Sequence, residues 1–105
     1  MGTLSRKQQI LDMLLDEPDD PELRYMLAME YASEANDVEA VRCFEELIAV
    51  APNYPAAYHM GARALVRLNR IAEAQALLQR GIPAALAQGN THAAGEMQEL
   101  MESLD

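Results

Sequence analysis

The stretches "PDDPELRY" at Pro18–Tyr25 and "PNYPAAYH" at Pro52–His59 decide the fold. Each is a Pro-x-x-Pro step followed by helix-forming residues with an aromatic near the start. Pro18 and Pro52 are 34 residues apart, and so are Pro21 and Pro55. A proline at a first helical position loses only an N–H that has no partner there, so Pro21 and Pro55 each read as a helix start. The same offset links Ala28 to Ala62, Glu39 to Glu73, Ala40 to Ala74 and Phe44 to Leu78, and backwards Ile10 to Phe44 and Met13 to Leu47. Small residues recur where two helices cross closely, and bulky ones where a neighbour leaves a hole. A helical hairpin cannot bury its apolar face alone, so stacked copies bury one another.

The rest of the chain agrees. Half of its residues are hydrophobic, there are five glycines and no tryptophan, and no run alternates in the manner of a strand. Breaks at clusters of Pro, Asn, Asp and Gly predict helices at 4–16, 21–34, 37–50, 55–68, 71–87 and 90–104. Connections of two to four residues make neighbours antiparallel. Within "QRGIPAAL", Pro83 cannot donate to the carbonyl of Gln79, so the helix from 71 is expected to bend or break near Gly81, or to restart at Pro83.

Leu27, Ala28, Tyr31, Ala40, Phe44 and Pro52 together resemble a tetratricopeptide repeat. A second copy holds Tyr58, Gly61, Ala62, Leu65, Ala74 and Leu78. Arg24 departs from the pattern, standing where a tryptophan is usual, and Gly81-Ile82-Pro83 replaces the usual end of the second repeat. The resemblance implies one domain over 1–105, an all-α, right-handed solenoid of antiparallel hairpins. Its parts would be an N-terminal half repeat at 4–20, repeats at 21–54 and 55–88, and a capping helix at 89–105. The chain as a whole resembles small stand-alone bacterial members.

The 17 acids outnumber 8 bases, giving a formal charge of −9, which argues against a nucleic-acid partner because phosphate binding needs a basic footprint. The imbalance is local: residues 47–95 hold one acid, Glu73, and four arginines. No apolar run approaches the ~20 residues that cross a bilayer. The start lacks a secretory apolar core, and Arg6 stands where myristoylation wants Ser or Thr. With the lone Cys43, these features make cytoplasm the expected compartment and a membrane partner unexpected.

The resemblance further implies that the first helix of each hairpin lines a concave groove for a peptide or helix of another protein. Tyr25, Met29 and Ser33 on one such helix, and His59, Arg63 and Arg67 on the next, are spaced four apart and share a face. They make a soft aromatic wall beside a cationic ladder, suited to an acidic partner. Alternatively, the arginines pair with Glu30 or Glu34 and the face is merely solvated. Some members grip a carboxylate with Lys and Asn on the first groove helix; Tyr25 and Met29 replace them, so that clamp is not expected. His92 and Glu96 make only a helical pair, the "DEPDDPE" cluster lacks a calcium loop's glycine, and no phosphate loop or nucleophile motif occurs. No metal, cofactor or catalysis is expected. The leading expectation is a non-enzymatic adaptor, scaffold or co-chaperone-like module. The alternative is a subunit that forms a homodimer through Met97 and Met101 of its Met-rich last helix.

Overall fold

The computed structural model describes residues 4–105; the Met1–Thr3 start, read above against lipidation and secretion signals, lies outside them. Six helices follow one another: α1 (Arg6–Asp16), α2 (Pro21–Ser33), α3 (Asp37–Val50), α4 (Pro55–Arg67), α5 (Ile71–Ala87) and α6 (Thr91–Ser103), with no strand among the described residues. The breaks read in the sequence placed all six to within two residues at either end. Local chemistry sets their starts. Side chains of Ser5, Asp20, Asn36 and Asn90 accept hydrogen bonds from backbone N–H groups three residues on, satisfying donors that a helix start leaves bare. Pro21 and Pro55 open α2 and α4 as expected.

Two kinds of joint alternate from α1 to α5, and the α5–α6 joint repeats the left-handed kind, with Asn90 N reaching back to Ala85 O at 2.9 Å. Where α2 and α4 end, Ala35 and Asn69 both adopt φ of 59° and the next N–H reaches back five residues, Asn36 to Tyr31 O at 2.9 Å and Arg70 to Leu65 O at 2.8 Å. This left-handed cap turns the chain sharply and satisfies a terminal carbonyl. Where α1 and α3 end, the chain passes through the two Pro-x-x-Pro steps. There the Arg24 Nε donates to Pro18 O and the Tyr58 hydroxyl to Pro52 O, each at 2.6 Å. Arg24 and Tyr58 are themselves one period apart, so the departure at Arg24 keeps the bond that Tyr58 makes.

Consecutive helices pack on each other along the chain, and α4 also packs directly on α6, giving a stack about 50 × 28 × 20 Å. Ala28, Ala40, Ala62 and Ala74 are all at 0% exposure, as the repeat predicts. Phe44, Ile10, Leu47, Leu78 and Met97 are the largest fully buried side chains, and each contributes about 1.5–3 kcal/mol by leaving water. Of the described glycines, Gly81 is the most tightly enclosed: a Cβ there would sit 2.5 Å from Tyr58 Cβ and 2.7 Å from Met97 sulfur. "QRGIP" therefore departs from the repeat because three helices meet where the glycine stands.

The expected break near Gly81 and the alternative restart at Pro83 are corrected: α5 runs unbroken from Ile71 to Ala87 with Pro83 inside it. Pro83 and Gln79 both lie on the exposed side, where water can replace the missing N–H donor. The helix continues to Ala87, one turn beyond the position that Val50 of α3 predicts, and closes with Gly89 at φ 70°.

Three outcomes follow from this packing. Gly81→Ala is expected to lower the unfolding free energy by about 1–3 kcal/mol in urea titrations, whereas Gly95→Ala, with nothing within 4 Å of the added carbon, should not destabilise. Ala35→Gly should raise stability by about 1 kcal/mol, because it relieves a left-handed alanine. Burial pushes the Cys43 thiol up to about 11, with Glu46 adding to the effect. Thiol reagents at pH 8 should therefore label the folded protein slowly and the urea-unfolded chain rapidly.

Candidate functional site

α2 and α4 run parallel because each is joined to α3 by a short antiparallel turn. They meet mainly through α3, leaving a cleft of about 370 Å³ between them, while α6 closes directly on α4. Met29, Ala32 and Ser33 line the cleft from α2, Met60, Arg63 and Arg67 line it from α4, and Phe44 of α3 forms its floor. Four of the six expected groove residues, Met29, Ser33, Arg63 and Arg67, thus share one surface.

The other two stand beside it. Tyr25 is half-buried, its ring 6.1 Å from Phe44 and 5.5 Å from Tyr54, so it continues the apolar floor rather than lining the same cleft. Burial is also what raises its phenol pKa. His59 is half-buried one turn before Arg63. Burial holds its imidazole below the usual range, and Glu96 across on α6 opposes that shift while Arg63 adds to it. His59 is accordingly neutral at neutral pH and brings no charge.

The cationic ladder is half cancelled. Arg67 gives Asp37 a hydrogen bond of 3.0 Å from Nε and a second ion contact of 2.9 Å. The alternative pairing with Glu30 or Glu34 at the end of α2 is therefore replaced by one with the first residue of α3. Glu30 and Glu34 are taken instead by Arg6 at 2.7 Å and Lys7 at 3.0 Å. Ser33 turns its hydroxyl back onto Glu30 O at 2.7 Å. Arg63 is exposed and has no carboxylate partner among the described residues. One uncommitted guanidinium beside two methionines and a phenyl ring is what the cleft offers.

Residue spacing had missed Met60 and Phe44. Met60 sits three before Arg63, a helical neighbour the four-residue count skipped, and Phe44 was assigned wholly to the repeat core. A second depression of about 410 Å³ lies between α3 and α5, floored by Ile48, Leu65 and Leu77 with Arg80 at its rim. The Arg80 guanidinium stands 5.7 Å from the Tyr58 ring centre.

For the alternative of pairing through the Met-rich last helix, Met97 itself offers no exposed surface. That side chain is at 0% exposure, wedged against Gly81, and Met101 is partly buried on the same core. His92 and Glu96 form an exposed pair at 3.3 Å, and no group of three potential metal ligands exists among the described residues. No helix among them is long and apolar enough to cross a membrane.

A tetratricopeptide repeat family model matches residues 34–94, more than half of the chain. A tetratricopeptide repeat domain protein from Salinibacter ruber is 31% identical in its solution structure, with a TM-score of 0.79 over 84% of this chain and 89% of that one. A crystal structure of a tetratricopeptide repeat domain protein from the same organism gives 30% identity and a TM-score of 0.76, covering 81% of this chain and 94% of that one. A Bordetella parapertussis protein, 22% identical, shares the fold at a TM-score of 0.83 over 97% of this chain and 89% of that one. No curated protein matches. The period, the six-helix stack and these likenesses agree: the chain belongs to the tetratricopeptide repeat family.

Proposed function

We propose that this chain is a non-catalytic protein–protein interaction module, an adaptor, scaffold or small co-chaperone, that holds a peptide or helix of another protein in the cleft between α2 and α4. One observation carries the reading: Arg63 stands without a carboxylate over an apolar floor of Met29, Met60 and Phe44. A guanidinium can bond a carboxylate bidentately, and methionine adapts its shape to varied side chains. The fitting partner therefore presents an apolar anchor with a carboxylate beside it. A volume of about 370 Å³ accommodates one or two side chains of a longer segment.

The forces divide unequally. An exposed ion pair is worth only ~0.2–1 kcal/mol, so the apolar floor supplies most of the affinity. Arg63 sets orientation, and it gives binding a dependence on salt. The overall charge of −9 repels acidic partners at long range, which makes this one local cation more selective about where they land.

Affinity capture from the source cells, followed by titration of the captured partner against purified variants, tests the reading. Arg63→Glu is expected to weaken binding about tenfold, roughly 1.4 kcal/mol, with unchanged helical content. Asp37→Asn should do the reverse, tightening binding a few-fold by releasing Arg67 from its carboxylate. Unchanged affinity in Arg63→Glu would show that the cleft is only a solvated face.

A further inference from the structure

The face formed by α2 and α4 is electrically two-ended, and this bears on what fits it if the cleft is the binding surface just described. Both helices start at the same end of the stack, because they are parallel. At that end lie Tyr25 and Tyr54, their rings 5.5 Å apart and inclined by 38°. Asp20, held in place by capping Leu23 N at 3.1 Å, and the exposed Glu22 stand beside them. Burial raises the Tyr54 phenol pKa first, and Tyr25, Glu22 and Asp20 add to it, which places those carboxylates within electrostatic reach of the ring pair. Neither Asp20 nor Glu22 forms an ion pair among the described residues. At the other end of the same two helices lie Arg63, Arg67 and Ser33. Phe44 joins the two ends, since it touches Tyr25 and also floors the cleft.

We propose that this face takes a dipolar segment of a protein partner, with a lysine or arginine over the Tyr25–Tyr54 pair, an apolar side chain on Phe44, Met29 and Met60, and a carboxylate on Arg63. Aromatic faces attract cations through their quadrupole, and nearby carboxylates strengthen that preference. The same carboxylates repel an acid, so a segment lying the wrong way round meets like charge at both ends. The separation follows from helix geometry. Tyr25 and Ser33 are eight residues apart on α2, about 12 Å at ~1.5 Å per residue. An extended strand of partner covers that distance in about four residues at ~3.3 Å each. The partner's cation and carboxylate should therefore stand three to five positions apart.

Selection from a randomised displayed-peptide library against the whole chain tests this. Enriched peptides are expected to carry a basic residue three to five positions from an acidic one, with an apolar residue between. Repeating the selection on Glu22→Lys and on Tyr54→Leu, both confirmed helical by circular dichroism, should abolish the basic preference and keep the acidic one. Selection on Arg63→Glu should abolish the acidic preference. Enrichment of acidic–apolar peptides with no basic residue at a fixed spacing overturns the dipolar proposal and leaves the binding cleft standing. A basic preference that survives in Glu22→Lys and Tyr54→Leu also overturns it, since general attraction to an acidic protein then explains it. No enrichment at all, or enrichment indifferent to Arg63, overturns both.

Discussion

How closely two helices approach is set by the side chain that is missing between them, and of the described glycines in this stack Gly81 is the most tightly enclosed. With no Cβ, it lets Tyr58 and the Met97 sulfur of α6 come to distances that any other residue would forbid. That contact draws α6 onto α4. Elsewhere on α4, a Cβ added at Gly61 would stand 3.0 Å from Leu77 and 3.3 Å from Phe44, while α2 does not pack on α4 as α6 does. The stack is thus sealed at one place and open at another. The opening between α2 and α4 is the surface that all the functional reasoning rests on.

What the sequence made legible was whatever repeats. Helix positions, the buried alanines and both Pro-x-x-Pro joints follow from a 34-residue offset, because each repeat faces the same neighbours as the last. What it hid was whatever long side chains choose individually. Arg67 takes Asp37 at the start of α3 rather than Glu30 or Glu34, which Arg6 and Lys7 claim. Nothing periodic announces such a choice. Tyr25 was expected beside Met29 and Ser33 but lies against Tyr54, a residue in a linker that helical spacing does not count. Pro83 misled for a different reason. Its cost depends on whether the orphaned carbonyl finds water, and that is a property of burial, invisible until the helix has a neighbour.

The uneven charge of the chain also looks different in three dimensions. Of the four arginines between residues 47 and 95, Arg70 is held bidentately by Glu73 at 2.6 and 2.7 Å, and Arg67 by Asp37. Arg80 lies over the Tyr58 ring. A stretch that reads as strongly basic therefore projects little of that charge. Of the four, Arg63 alone has neither a carboxylate nor an aromatic partner among the described residues. Weak surface ion pairs of this kind contribute little to stability. Their effect is to remove cations from the field that an approaching partner meets.

Arg24 and Tyr58 share nothing as side chains, yet each fastens the start of its hairpin to a proline carbonyl six residues back at the same 2.6 Å. Because the acceptor is main chain, it asks only for a donor of sufficient reach and does not inspect the rest of the residue. Such a joint is insensitive to drift: the position can wander between a cation and a phenol without disturbing the pitch of the stack. Kinship between repeats is then better judged by which carbonyl a residue serves than by the letter it carries.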